Sequence, residues 1–329
     1  MPITTYGDIS PRTAAFVSKK MLKRAVPMLV IEPYGQPKPI PKKSSTSVVF
    51  RRYNALDATP KELTEGVTPS STKITKSDVP AALKQYGDWV EISDIIADTH
   101  EDPVLDEAVG VLGEQAGEML ERVRFGVIKA GTNVIYANGS SRADVNTKLT
   151  RALQRKATNL LQRQNARTHT SVVGASPNFA TDPVAPAYIG ICHVDLESDI
   201  RDMDGFTPTE KYANGKPLPG EIGKVEKVRY VASTIIEPWP DAGGAAGTML
   251  STSGTNADVY PILYVARDAY GIVPLKGKNS IKPMVLNPNT PRGGDPLGQR
   301  GSAGWKAMHT AVILNNAWMV RAEVGVTEL

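Results

Sequence analysis

The 329-residue sequence contains a single cysteine, Cys192, set in the apolar run Tyr188-Ile189-Gly190-Ile191-Cys192. No intrachain disulfide and no multi-cysteine zinc site can form, a reducing compartment fits, and Cys192 is expected to be a small core residue in a strand. Long apolar runs are missing too. Nothing approaches the ~18 residues of a membrane helix, and Met1-Pro2-Ile3-Thr4-Thr5-Tyr6 lacks a charged segment followed by an apolar core. The expectation is a protein made and used in the cytosol, with no membrane partner.

Catalytic signatures are equally scarce. The four histidines, His100, His169, His193 and His309, are scattered, and none has the i, i+4 partner of a metalloprotease helix. His100-Glu101-Asp102 reads as a helix-start cluster, and His193-Val194-Asp195 as a strand end ahead of a short helix at 196–201 capped by Asp195. Asp202-Met203-Asp204-Gly205 lacks the remaining ligands of a calcium loop. The glycines at 243–247 and 293–301 match neither phosphate-binding pattern, and no nucleophile elbow occurs. No catalytic residue, metal or cofactor is expected. A loop-rich α+β enzyme, with activity depending on His100, His193 or Asp195, is the least favoured reading.

What is abundant is turn chemistry, with 28 glycines and 25 prolines, and aromatics make up only 6% of the chain. An irregular, loop-rich, β-containing chain follows. Charge is segregated although its net value is only +4. Residues 1–53 hold ten Lys/Arg against Asp8 and Glu32, whereas 88–126 hold eleven acids against Arg122 and Arg124. Such segments neutralise each other within a chain or guide the association of copies.

Along the chain, residues 11–31 suggest an amphipathic helix with Ala15, Val17, Met21, Leu22 and Ala25 on one face. Pro33, Pro37, Pro39 and Pro41 then favour extended backbone that something else must hold. Strands are expected at 47–53 and 86–96. Between them, 54–80 carries only Leu56, Leu63, Val67, Ile74 and Val79 as larger aliphatics, and the flanking strands would make it a projecting hairpin.

The clearest periodicity predicts a helix over 103–130, with Asp102 as N-cap, Pro103 at the first position, and Leu105, Val109, Leu112, Ala116, Leu120, Val123 and Val127 in one stripe. At ~1.5 Å per residue it would span roughly 40 Å, a structural spine. A second helix over 145–166 sets Leu149, Leu153, Ala157, Leu160 and Leu161 opposite Lys148, Arg151, Arg155, Lys156 and Arg163, a basic face able to approach DNA. Short strands follow at 188–194, 225–236, 259–266 and 311–326.

Blocks spread over nearly the whole chain carry a family resemblance. They are Tyr6-Gly7-Asp8 with Pro11-Arg12-Thr13-Ala14-Ala15, Phe50-Arg51-Arg52-Tyr53-Asn54-Ala55-Leu56, and Thr64-Glu65-Gly66-Val67-Thr68-Pro69. Next come Gln85-Tyr86-Gly87, Asp98-Thr99-His100-Glu101-Asp102-Pro103 and Arg163-Gln164-Asn165-Ala166-Arg167. The later half adds His193-Val194-Asp195, Gly220-Glu221-Ile222-Gly223-Lys224-Val225, Asp268-Ala269-Tyr270-Gly271 and Gln299-Arg300-Gly301-Ser302. In their order and coverage the sequence resembles the phage N4-type major capsid protein family.

That resemblance implies an α+β, HK97-like capsid fold: an N-terminal arm (1–45), an extended loop with flanking strands (46–96), a peripheral domain with the spine helix (97–185), an axial domain (186–305), and a return to the peripheral domain (306–329). It implies a structural protein that self-assembles as hexamers and pentamers into the icosahedral head of a tailed phage around double-stranded DNA, assembled in the bacterial host cytoplasm. Portal and scaffolding proteins are expected partners, a decoration protein is a further one, and packaged DNA is contacted without specificity. The chain starts directly in its arm, which motivates a separate scaffold. Inter-subunit contacts are expected at Lys19, Lys23, Arg24, Arg51, Arg52, Glu65, Lys73 and Lys76. Lys61, Lys73 and Lys76 are candidate donors for an isopeptide cross-link, with no matching asparagine evident. An encapsulin-like compartment shell shares the fold and is the alternative.

Overall fold

A computed structural model describes residues 29–41, 45–95, 104–170, 186–212, 217–275, 281–291 and 293–329, with 104–106 described by backbone alone. The helix expected over 11–31 lies outside these residues except for its last three, as do Lys19, Lys23, Arg24, His100 and the Asp102-Pro103 helix start.

One layer is organised by a 14-residue strand, β13 (Arg300–Ile313). Along one edge it pairs antiparallel with β4 (Lys84–Ser93), from Arg300↔Ser93 to His309↔Lys84. Its other edge is shared by β12 (Lys282–Leu286) and β11 (Tyr270–Pro274), and β1 (Gln36–Pro37) adds parallel to β11. The spine helix α1 (Val104–Ile128) lies across one face of this sheet. Its Val109, Leu112, Ala116 and Leu120 meet Ala303, Trp305 and Ala307, which alternate along β13 and so share one face. Gln115 fastens the contact, accepting from Trp305 Nε1 at 3.1 Å and donating to Asp88 Oδ2 at 2.5 Å.

The second layer is a seven-stranded sheet in the order β5-β14-β10-β6-β9-β8-β7. Its strands are β5 (Val134–Tyr136), β6 (Tyr188–Cys192), β7 (Phe206–Pro208), β8 (Glu221–Val225), β9 (Val228–Ala232), β10 (Tyr260–Val265) and β14 (Met319–Val324). Every residue of β6 and β10 is buried because both sheet faces are covered. On one face lie α2 (Arg151–Arg163) and the short α3 (Glu197–Arg201), with Leu153, Ala157, Leu161 and Ile200 against Tyr188, Tyr230, Tyr264 and Val320. On the other lie the end of α1 and residues 30–34, through Phe125, Ile128, Val30, Ile31 and Tyr34.

The buried Gln154 ties α2 to its sheet. Its Nε2 donates to the Val225 carbonyl and its Oε1 accepts from the Tyr230 hydroxyl, both at 2.8 Å, and Tyr230 in turn meets the Tyr264 hydroxyl at 3.0 Å.

Residues 29–41 form a strap across the junction of the two layers. Glu32–Tyr34 make a 3-10 turn, a departure from the extended backbone expected of the proline spacing; from Gln36 onward the strap runs along β11, with Lys38 N–H donating to Ile272 O and Ile40 N–H to Pro274 O. Ile31 N–H donates to Glu121 Oε2 at 2.8 Å, and Tyr270 O–H donates to the Ile31 carbonyl. Between strap, helix and sheet sits Arg124, 1% exposed. It pairs with Glu121 at 2.6 Å and Glu32 at 3.0 Å, and its Nε donates to His309 Nε2 at 3.2 Å.

Other expectations need correction. The strand β2 (Ser47–Tyr53) pairs not with 86–96 but with β3 (Lys76–Ala82), in register from Ser47↔Ala82 to Tyr53↔Lys76. Lys76, Ser77, Asp78 and Pro80 read as loop, yet an edge strand with few neighbours tolerates a proline and polar residues. The hairpin base is seated by Phe50 and Ala81 on Ile40 and Val273, where Gly271 leaves room: a Cβ there would come within 2.6 Å of the Phe50 ring. The second helix begins at Arg151, six residues later than expected, capped by the Thr150 hydroxyl; Val145 and Leu149 are buried in extended chain at helix-like spacing.

The strand expected at 225–236 is instead the hairpin β8–β9, turned at Glu226 (φ 50°). That expected at 311–326 is the end of β13 and the whole of β14, in different sheets. Asp195 caps nothing: the His193 ring accepts from the Asp195 N–H at 3.2 Å and opens a 3-10 turn before α3. The boundaries at 185/186 and 305/306 also cut across the layers, since α2 packs with the seven-stranded sheet and β14 lies within it.

Two outcomes follow from the buried polar groups. Replacing Gln154 by Leu leaves the Tyr230 hydroxyl with Tyr264 alone and takes the side-chain donor from the Val225 carbonyl, and should cost about 1–3 kcal/mol of unfolding free energy in urea titrations. Burial and then the Arg124 charge hold the His309 imidazole neutral, with its pKa lowered from 6.5 to about 3. Between these values the unfolded chain binds a proton that the folded one rejects, so this residue lowers stability as pH falls from 6.5 towards 3. His309→Gln keeps an acceptor for Arg124 but cannot titrate. Its stability should decline less steeply over this range, by up to about 1.4 kcal/mol per pH unit; parallel slopes would refute the assignment.

Candidate assembly surfaces

The β2–β3 hairpin presents five of the residues expected at subunit contacts. Arg51 and Lys76 are brought together on Asp78, at 2.9 and 3.3 Å, across the two strands. Hydrogen bonds from Arg51, then Lys76, hold the Asp78 carboxyl below the usual carboxylate range. Arg52 edges a cleft of about 330 Å³ together with Lys38, Phe50, Leu314 and Trp318. Glu65 and Lys73 are exposed and make no ion pair among the described residues.

Beyond the strands, residues 54–75 have little internal support: Asn54 bonds Thr75, Thr59 bonds Asp57, Lys61 bonds Thr72, and Val67 N–H closes a turn on Thr64 O. Leu56, Leu63, Val67 and Ile74 stand 53–70% exposed. Four aliphatics on one loop with nothing over them form a surface that association would cover.

A second open surface lies on the five-stranded sheet, opposite α1. Trp89, 61% exposed, and Met284, 54% exposed, face each other across Gly304 in direct register. Gly304 floors the groove, since a Cβ there would lie 2.8 Å from that of Trp89. With Gly87 and Lys306 they line about 740 Å³. The sequence hid this surface because Trp89 belongs to a strand alternation that reads as core.

The basic face of α2 is exposed. Arg155 pairs with Glu226 and Arg151 approaches Asp204 at 3.5 Å, while Lys156 and Arg163 have no acidic partner among the described residues. Of the residues considered for chemistry, His100 lies outside the described residues, and His193 and Asp195 lie together: Asp195 Oδ2 accepts from Tyr260 O–H at 2.8 Å and lies 3.0 Å from His193 Nδ1. Among the described residues no group of three His, Cys, Asp or Glu side chains could hold a metal. Cys192 is fully buried, and burial pushes its thiol pKa up.

Solved structures of low sequence identity share this architecture. The capsid of Ralstonia phage GP4 matches at 12% identity over 90% of this chain and 88% of that one, with a TM-score of 0.66. The Cyanophage Pam1 capsid asymmetric unit matches at 14% identity over 88% and 87%, TM-score 0.58, and the head structure of Helicobacter pylori bacteriophage KHP40 at 10% over 88% and 87%, TM-score 0.56. These establish the α+β, HK97-like fold. No curated protein matches the sequence.

A family profile described as phage capsid protein matches residues 76–322, from the second hairpin strand to β14, without distinguishing the N4-type branch. With that match over three-quarters of a chain folded as a capsid subunit, the protein belongs to the phage capsid protein family.

Proposed function

We propose that this capsid protein closes its shell through hexamers and pentamers in which the hairpin loop of each copy lies on a neighbour. The loop carries the reading: its four aliphatics stand exposed on the chain that bears them, and burying apolar area at ~25 cal/mol per Å² favours association. The Trp89–Met284 groove is a matching unburied surface on the same molecule.

In this reading the five-stranded sheet with α1 is the peripheral unit and the seven-stranded sheet with α2 is the axial unit meeting its copies at capsomer centres. The strap at 29–41 is the anchored end of the arm, which carries Lys19, Lys23 and Arg24. Arg52, Glu65 and Lys73 contact neighbours, whereas Arg51 and Lys76 first brace their own hairpin. The shell is assembled in the bacterial cytoplasm on a separate scaffolding protein, closes on a portal and encloses double-stranded DNA. A decoration protein can cover its outer surface. DNA contact through Lys156 and Arg163 is non-specific and weakens with salt. The family match favours a phage head over an encapsulin-like compartment.

Electron microscopy of the chain produced with its phage scaffold tests this reading, with closed particles expected; a persistent monomer would refute it. Replacing 57–73 by a two-residue turn should change the unfolding free energy of the subunit by less than about 1 kcal/mol, because the segment contributes no core. The same deletion should abolish closed shells. Collapse of the subunit, or normal shells, would contradict that division of labour.

A further inference from the structure

The end of α1 is tied to the seven-stranded sheet by three directional contacts, one of them on the Trp239 ring and the others close to it. The Lys129 ammonium lies 4.3 Å from the centroid of the indole ring. Arg321 of β14 donates through Nη1 to the Lys129 carbonyl and, at 3.2 Å, to the Gly131 carbonyl, satisfying acceptors that a helix end leaves open. Arg122, one turn from each of Glu118 and Gly126, pairs with Glu237, two residues before the tryptophan.

The sheet side of this cluster is rigid. Trp239 exchanges two backbone hydrogen bonds with Val259, at 2.8 and 3.0 Å. Arg142 stacks 3.5 Å from the ring centroid, and its guanidinium binds the fully buried Glu323 of β14 at 2.7 and 2.9 Å. Arg321 shares Glu323 at 2.9 Å. Elsewhere α1 meets this sheet through apolar packing, Phe125 and Ile128 against Ile189, Leu263 and Met319, while a turn or two earlier Glu121 and Arg124 hold the helix to the strap and to β13. Apolar burial is non-directional and lets packed elements shear past one another, whereas cation–π and bidentate contacts fix an orientation.

We infer that the Trp239 cluster is an angle lock, setting the inclination of the spine helix to the seven-stranded sheet and so the curvature each subunit contributes to the shell. The lock rests on the shell-subunit reading only for this last consequence. Removing a tie leaves the apolar contact in place, so the subunit stays folded while the angle is freed.

The test uses full-length chain carrying spin labels at Val111→Cys on α1 and Lys227→Cys in the β8–β9 turn, both exposed; the buried Cys192 does not compete for label. Lys129→Met, which keeps the stem and removes the ammonium, should broaden the inter-label distance distribution without moving the unfolding midpoint. Trp239→Leu should broaden it further, and Trp239→Phe should restore most of the narrowing. Particles assembled from Lys129→Met chains should show a wider spread of diameters than unaltered ones. An unchanged distance distribution in Lys129→Met would overturn the lock, as would a broad distribution in the unaltered chain. If Trp239→Leu fails to fold, Lys129→Met with Arg122→Gln decides. Failure of the unaltered chain to form particles with scaffold would instead count against the shell reading, and the label distances would still judge the lock.

Discussion

A guanidinium buried to 1% exposure must keep its counter-charges, and the two layers of this molecule are arranged so that Arg124 does. Glu121 comes from the same helix, Glu32 from the strap and His309 from β13. Removing any one partner leaves a charge or donor uncompensated in the interior, a far larger penalty than the pair contributes over an apolar substitute. The strap therefore cannot leave without exposing the junction, and β13 cannot slide along α1 without taking His309 away. A buried charged contact often adds no more stability than an apolar replacement of its size would, yet losing one of its partners is costly, so it ties the positions of helix, strap and β13 to one another.

The two layers then divide the molecule's tasks. The sheets bury their own apolar residues on α1, α2 and the strap, while the hairpin loop and the Trp89–Met284 groove leave theirs open. Open apolar surface of this kind favours association over isolation. The β2–β3 strands make the loop presentable, because Arg51, Lys76 and Asp78 brace a hairpin that has only Phe50 and Ala81 to seat it.

Elements with strong periodicity were legible in the residues. The α1 stripe, β2, β6 and β10 fall within a few residues of their expected positions, and the buried Cys192 and exposed loop aliphatics stand as read. What failed did so for local reasons. Pro80 masked β3, Val145 and Leu149 imitated the first turn of α2, and the Asn315-Asn316 turn between β13 and β14 was passed over because apolar residues run up to it on both sides. Candidate contacts were legible only in part: Arg51 and Lys76 lie where a contact would need them but are engaged with Asp78, and nothing in their spacing shows a cross-strand partner. The Trp239 cluster was invisible because its members, from Arg122 to Glu323, converge from five separate stretches of chain. Aromatic and cationic residues so far apart leave no pattern for periodicity to find.

The place of β14 in its sheet has a consequence for synthesis. It lies between β5 and β10, pairing with both, yet the residues that form it follow both by more than fifty positions. While a ribosome is still adding residues before 319, β5 has no partner in the sheet and β10 presents an open edge. The seven-stranded layer therefore closes late, after the hairpin, the spine helix and α2 have all emerged. Nascent chains on one messenger RNA therefore show their loops and the open edge of β10 before any of them is a finished subunit, and that interval is when they are most prone to pair wrongly with one another.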